Sequence, residues 1–121
     1  MSAFSHLDEL ERIQIWPGLT AREVTGAEAM LTYIELDAGA VVPEHQHPHE
    51  QTGILLRGSV TFTIGGETQE LTPGAMWVIP GDTPHDVAVG PDGAVIVELF
   101  APARDDWGGH ERLPATRVTL P

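Results

Sequence analysis

The sequence predicts an all-β protein with a double-sheet jelly-roll or barrel architecture. The chain has 121 residues, which is enough for one domain but not comfortably for two. It contains 13 glycines and 10 prolines, a content that fits many short strands joined by turns and fits long helices poorly. About eight short strand-like stretches follow one another at regular spacing, which is typical of sandwiches and barrels.

Each predicted strand is an apolar or alternating stretch bounded by turn residues. Residues 60–64 alternate cleanly between apolar and polar side chains, and two glycines join them to residues 67–71 in a predicted hairpin. Residues 94–100 form a nearly continuous apolar run. The remaining predicted strands cover residues 19–25, 29–36, 52–57, 75–79 and 85–89, and residues 41–51 are predicted to be extended.

The two ends of the chain are less regular than its middle. Apolar residues recur every third position within residues 1–15, which predicts a short amphipathic helix or an irregular arm. Residues 102–121 are punctuated by proline and glycine and are predicted to form a tail. We therefore expect a single domain over residues 1–121, with its barrel at about residues 18–101.

The composition disfavours several classes of protein. The net charge is −12 and all six basic residues are arginines, so binding to the phosphate backbone of a nucleic acid is disfavoured. The absence of cysteine excludes disulfides and leaves His, Asp, Glu, Gln and Asn to bind any metal. No basic-then-apolar leader and no run of 18 apolar residues occurs, so we expect a soluble, cytoplasmic protein without a membrane partner.

Three of the six histidines lie in one short segment, residues 45–51, which reads HQHPHEQ. His45 and His47 are two positions apart, and on a β-strand this spacing puts both imidazoles on one face. Such a pair can grip a divalent metal, because imidazole suits Zn, Cu, Fe and Ni. From these two residues alone, histidines on a surface loop are an equally good interpretation.

The order of the whole region is more specific. The pattern Gly-x5-His-x-His-x3-Gln-x6-Gly begins at Gly39, and Gly-x5-Pro-x4-His begins at Gly74. The two segments resemble the two signature motifs of the cupin superfamily over residues 30–100, with Asp82 where the family has a turn glycine. The resemblance implies a small jelly-roll barrel with one divalent metal, whose identity among Ni, Zn, Mn, Fe and Cu stays open. The ligands that it implies are His45, His47, Gln51 and His85.

Gln51 occupies a position where cupins most often have glutamate. Three neutral imidazoles and a neutral amide leave the +2 charge of a metal uncompensated, whereas a carboxylate would cancel part of it. We therefore expect the metal to act as a Lewis acid rather than as a redox centre, and to attract an anionic substrate to this acidic chain.

Several neighbouring residues have open roles. His49 is expected at the rim or on the loop surface rather than as a ligand, because Pro48 interrupts the alternation. Glu50 is expected to face solvent, and it would replace Gln51 only if the register slips. Glu98 is a candidate for an inward position hydrogen-bonded to a metal-binding histidine. Weaker candidates for the cavity are Tyr33 and Arg22.

The segment after the last predicted strand carries a second signal. Residues 100–107 read FAPARDDW, which resembles the string Phe-Ser-Pro-x-Arg-Asp-Asp-Phe of a small single-domain cupin group. That group converts unsaturated monouronates from pectin and alginate breakdown into linear keto forms, and the resemblance extends over residues 18–107. It implies that Asp105 is the acid or base beside the metal and that Trp107 lines the pocket. Arg104 either binds the substrate carboxylate or pairs with Asp106; the alternative for the segment is an ordinary surface loop.

These observations predict a metal-dependent enzyme that isomerises or tautomerises a small carboxylate-bearing substrate of the sugar-acid type. Two alternatives stay open at this point: a cupin dioxygenase with a redox metal, and a non-catalytic cupin that binds a small molecule. We also expect a homodimer, because a barrel this small has exposed edge strands, and the arm at residues 1–15 can reach a partner.

Overall fold

The computed structural model describes residues 2–121, and within them it contains nine β-strands and one turn of 3-10 helix at Leu7–Glu9. Met1, the first residue of the predicted arm, lies outside the described residues. All strand pairs are antiparallel, and the all-β prediction is confirmed. The strands are β1 (Arg12–Trp16), β2 (Leu19–Thr25), β3 (Met30–Leu36), β4 (Val41–His45), β5 (Glu50–Ile64), β6 (Glu67–Leu71), β7 (Met76–Ile79), β8 (His85–Ala101) and β9 (Glu111–Leu113).

Two long strands, β5 and β8, belong to both sheets of the jelly roll. The first part of β5 pairs with the second part of β8, and this pair continues into a larger sheet with the order β9-β1-β2-β3-β8-β5-β7. The second part of β5 pairs with the first part of β8, in a smaller sheet with the order β4-β8-β5-β6. The sequence predicted separate strands here, but both parts keep the same partner, so each strand is continuous.

The change from one sheet to the other occurs at a bulge that requires glycine. The register between β5 and β8 shifts on either side of Gly58, which has a φ of +83°. A Cβ atom at this position would lie 1.9 Å from the carbonyl oxygen of Gly93 on β8. A residue with a side chain could therefore not occupy this crossing, which gives a structural reason for the last glycine of the first sequence motif.

The core lies between the two sheets. Ile34, Leu55 and Ile96 of the larger sheet and Val60 and Val87 of the smaller sheet are buried in one apolar cluster. These are the inward positions of strands whose side chains alternate between the two faces. The rings of Phe62 and Trp77, one from each sheet, lie 5.1 Å apart and close the core near the functional site described below.

The first residues of the chain differ from the sequence-based expectation. The predicted helix or irregular arm is one 3-10 turn followed by β1, which pairs with β2 and β9 of the same chain. The reason is that Ile13 is buried while its strand neighbours are less so, an alternation that outweighs the three-residue spacing. The guanidinium of Arg22 donates to the carbonyl oxygens of Leu7 and Thr116 at 3.1 and 2.6 Å, which ties both ends to β2.

No helix within residues 2–121 is long and apolar enough to cross a membrane.

Candidate metal centre

The fold brings together three histidines from different parts of the chain. His45 ends β4, His85 begins β8, and the two are cross-strand partners with ring centroids 4.3 Å apart. His47 lies just after β4, and its ring centroid is 5.1 Å from that of His85. One ring nitrogen of each of these residues, which we call the histidine cluster, lies within 4.8 Å of the other two. This is a spacing at which one ion could be bound by all three.

The backbone fixes which nitrogen of each ring faces the centre. The Nδ1 atoms of His45, His47 and His85 lie 2.8, 3.1 and 2.8 Å from the carbonyl oxygens of Pro43, His49 and Thr83. A carbonyl oxygen only accepts, so each Nδ1 carries the proton and each Nε2 presents a lone pair. This arrangement orients imidazoles as metal ligands.

Gln51, the fourth predicted ligand, lies on the first part of β5. Its Nε2 donates to Oε2 of Glu98, and the same carboxylate oxygen accepts from Nε1 of Trp77 at 2.9 Å. Because an ionised carboxylate can only accept, the amide oxygen of Gln51 must point the other way, and it lies 3.1 Å from Nε2 of His47. Glu98 is therefore inward, as the sequence suggested, but its partner is the predicted glutamine ligand and not a histidine.

The donor set fits a divalent metal ion. The lone pairs of His47 Nε2 and Gln51 Oε1 face each other, an arrangement that is repulsive unless a cation lies between them. Nε2 of His85 is buried and has no hydrogen-bond partner among the described residues. Buried polar atoms without partners are rare in proteins, and a bound cation would satisfy both features.

Burial sets the charge state of the site. It lowers the pKa of His47 to about 4, with smaller contributions from Arg104 and His85, and it lowers the pKa of His85. Both imidazoles are thus neutral near pH 7, which is the form that binds a metal. Burial also raises the pKa of Glu98 to about 6 against the opposing effect of its hydrogen bonds from Gln51 and Trp77. Glu98 is therefore mostly ionised near pH 7.

His45, His85 and Gln51 border a cavity between the two sheets. The volume of this cavity is about 60 Å³, which is room for a few water molecules. Trp16 forms part of the wall and its ring lies 5.4 Å from that of His45. No pattern in the sequence predicted this contact. Tyr33 and Arg22, the weaker candidates, do not line this cavity but lie on the outer face of the larger sheet.

The segment after β8 closes one side of the cavity. Trp107 is buried with its ring 5.4 Å from that of Phe100, and the guanidinium of Arg104 lies 5.1 Å from the centroid of each ring. Arg104 also donates two hydrogen bonds of 2.8 Å to the carboxylate of Asp106. These bonds hold the pKa of Asp106 at about 2. Of the two roles considered for Arg104, pairing with Asp106 is the one observed.

Asp105 contacts His49, whose ring lies beside that of His47. Its side chain is 88% exposed and does not line the cavity, but its Oδ1 lies 3.1 Å from Nε2 of His49. His49 is buried, with its ring 5.4 Å from that of His47, so the expectation of a position on the loop surface is wrong. One carboxylate oxygen of Asp105 and one of Asp106 lie within 4.8 Å of a ring nitrogen of His49. Glu50 is exposed, as expected.

The fold and the two motifs define the class of protein. Residues 32–100 match the family model described as a cupin domain, so the chain belongs to the cupin family.

Named relatives refine this assignment. The chain is 26% identical over 102 residues to the pectin degradation protein KdgF of Dickeya dadantii, which covers 83% of this chain and 93% of the relative. The structure of KdgF from Halomonas sp. superposes with a TM-score of 0.79 at 29% identity, over 88% of this chain and 98% of that one. The resemblance to cupins of pectin breakdown is thereby confirmed.

A second curated relative is the dimethylsulfoniopropionate lyase DddW of Ruegeria pomeroyi, 29% identical over 85 residues. These residues are 70% of this chain but only 56% of that protein.

Proposed function

We propose that this cupin is a metal-dependent enzyme that converts an unsaturated sugar acid of the uronate type into its linear keto isomer. The observation that carries the proposal is the combination of the histidine cluster and Gln51 with a carboxyl group, that of Asp105, which contacts His49 from the segment after β8. The similarity to two KdgF proteins along nearly their whole length supports it. The cytoplasmic location stays a prediction from the sequence.

The reaction is an isomerisation. Ring opening takes a proton from the hemiacetal hydroxyl, breaks the ring C–O bond and leaves an enol, and tautomerisation then moves a proton onto carbon. Substrate and product have the same atoms and the same number of electrons, so the reaction needs no oxidant. When bound, a divalent metal supplies Lewis-acid polarisation of the substrate oxygens.

The residues of this chain have distinct roles in the proposal. Asp105 carries the proton to or from carbon, and its hydrogen bond to His49 limits the orientations of its exposed carboxylate. Arg104 lines the cavity wall, where the part of its guanidinium that does not bond to Asp106 attracts the substrate carboxylate. The rings of Phe100 and Trp107 exclude water from the same side of the cavity.

The experiment is a spectrophotometric assay with a freshly prepared unsaturated monouronate and the metal-loaded protein. Loss of the ultraviolet absorbance of the substrate, abolished in Asp105→Ala with metal binding retained, is the expected result. An oxygen electrode in the same reaction tests the dioxygenase alternative, because uptake of oxygen would overturn the isomerase. Tight binding of the uronate without turnover would favour a binding protein instead.

We further propose that two copies of the chain associate through the outer face of the larger sheet. Val78, Leu99 and Leu31 lie in one cross-strand row and are 60%, 42% and 52% exposed, and Met76 beside them is 75% exposed. This row has no charged side chain, although the chain carries a net charge of −12. A second copy can therefore cover it without bringing acidic groups together at this row.

A further inference from the structure

Glu98 is a buried charge in an otherwise apolar part of β8. Among the described residues it is the only carboxylate in the buried class, and its neighbours along the strand, Ile96 and Phe100, belong to the core. An ionised carboxylate in such surroundings is unfavourable unless it is paired or hydrogen-bonded. Its position therefore requires an explanation beyond packing.

The hydrogen bonds of Glu98 act on a predicted metal ligand. Oε2 accepts from the amide nitrogen of Gln51, and this contact determines which end of the amide faces the histidine cluster. Without an acceptor at position 98, the amide could rotate and present its NH2 group to the cluster. A donor there would repel a cation instead of binding it.

A second contact holds the carboxylate in place. Nε1 of Trp77 donates to the same Oε2 atom, and the Trp77 ring packs against Phe62. Gly53 leaves the space for this indole, since a Cβ atom there would lie 2.6 Å from three of its ring atoms. Residues on β5, β7 and β8 thus fix the geometry of one amide group.

The electrostatic balance points in the same direction. The histidine cluster and Gln51 contribute no negative charge, because imidazole binds a metal in its neutral form and an amide is uncharged. Glu98 is one hydrogen bond away from the ligand oxygen. A glutamate at position 51 would bring a negative charge as a ligand. Here the nearest carboxylate is instead that of Glu98, which contacts Gln51.

We propose that Glu98 is a positioning residue for the metal centre, which orients the Gln51 oxygen toward the ion and compensates part of the ion's charge without binding it. Outer partners of this kind typically change metal affinity by about 10- to 100-fold. This inference rests on the metal site of the proposed function but not on its substrate.

The test uses Co2+ as the probe, with its affinity measured by competition against a chelator and its ligand field by visible absorption. Glu98→Gln keeps an oxygen that can accept from Gln51 and Trp77 and removes only the charge. We expect a roughly 10- to 100-fold loss of Co2+ affinity with unchanged absorption bands. Glu98→Leu removes the acceptor as well, so a larger loss and shifted bands are expected.

The exchange variant Gln51→Glu/Glu98→Gln restores the net charge and one hydrogen bond between the two side chains. We expect it to bind Co2+ at least as tightly as the parent chain, which a purely structural role for Glu98 would not produce. Thermal unfolding of each variant without metal verifies that it is folded. The nearly isosteric Glu98→Gln keeps the test valid if Glu98→Leu does not fold.

Three results would overturn the inference. Unchanged Co2+ affinity in Glu98→Gln would remove the charge role, and identical spectra for Glu98→Leu and the parent would remove the orienting role. Failure of the parent to bind Co2+ would overturn this inference together with the metal site. Co2+ binding that follows the expected order, without turnover of a uronate, would leave the inference standing and reject only the proposed substrate.

Discussion

His45 and His85 are cross-strand partners on β4 and β8, and their ring centroids are 4.3 Å apart. Far apart in the sequence, they meet because the start of β8 lies between β4 and the second part of β5. The strand pairing itself therefore brings together two of the three residues of the histidine cluster. His47 and Gln51 then join it from the connection after β4 and from β5.

Removing one imidazole should remove tight metal binding. For His85→Ala we expect a loss of Co2+ affinity greater than about 100-fold, because a direct ligand contributes more than an outer partner. The measurement is chelator competition, and His6→Ala, at an exposed position outside the cluster, is the control. Equal affinities for the two variants would contradict the assigned ligand set.

The pattern of the sequence predicted the fold class but not which strands are continuous or how they pair. Alternation predicted the strand at residues 60–64, yet nothing local indicated that β5 continues from Glu50 through the glycine bulge. Such continuity depends on a partner, β8, that follows the same path. The sheet position of β1 was missed for the same reason, since its second partner is β9 near the other end of the chain.

The candidate site was predictable to the extent that its motifs resemble those of a family. His45, His47, Gln51 and His85 were named because the two motifs that contain them resemble those of cupins. The contacts that position these residues could not be predicted. Glu98 contacts Gln51 and Trp77 across three strands, and such contacts produce no periodic pattern in the sequence. The expectation of a surface position for His49 was based on Pro48 interrupting the alternation, and no local pattern could show its contact with Asp105, which lies after β8.

Glu98 should make the metal-free protein less stable as the pH rises. In the unfolded chain this carboxyl loses its proton near pH 4.5, whereas burial raises its pKa in the folded chain to about 6. Between these values the folded state binds more protons, so the free energy of unfolding falls with rising pH and the loss is complete above pH 6. The effect is on the order of 2 kcal/mol.

Glu98→Gln removes this ionisation. Metal-free Glu98→Gln should be more stable than the parent by about 2 kcal/mol at pH 7.5 and nearly equal to it at pH 4.5. Urea unfolding at the two pH values measures the difference, and comparing the two chains at each pH cancels the titration of the histidines. A stability difference that does not change with pH would contradict the prediction.

The hydrogen bond between His49 and Asp105 should influence turnover but not metal binding. Asp105→Asn is expected to lower kcat by about 10²- to 10⁴-fold, the usual contribution of a general acid or base. His49→Leu should lower kcat less, and His49→Gln should recover part of the rate, because its Nε2 can donate to Asp105. Asp92→Asn, at an exposed site on β8, is the control. A loss of Co2+ affinity in Asp105→Asn would instead assign Asp105 to metal binding.

Gly53→Ala should destabilise the protein through Trp77. The new Cβ atom would lie 2.6 Å from the indole, which is buried and hydrogen-bonded to Glu98 and cannot move without breaking that bond. Overpacking of this kind costs about 1–3 kcal/mol in the free energy of unfolding. Denaturant unfolding measures it, with Gly26→Ala as the control, since a Cβ there meets nothing closer than 3.6 Å. Equal stability of the two variants would mean that the indole has room to shift.

The outer face of the larger sheet should determine the oligomeric state. A lysine in the middle of the exposed apolar row, as in Leu99→Lys, would be buried without a partner in a dimer. Light scattering should therefore give twice the chain mass of 13.0 kDa for the parent and the single-chain mass for the variant. Gln69→Lys, on exposed β6 of the smaller sheet, should stay dimeric. A dimer that survives Leu99→Lys but is lost in Gln69→Lys would move the interface to the edge of the smaller sheet, where β6 has an unpaired side.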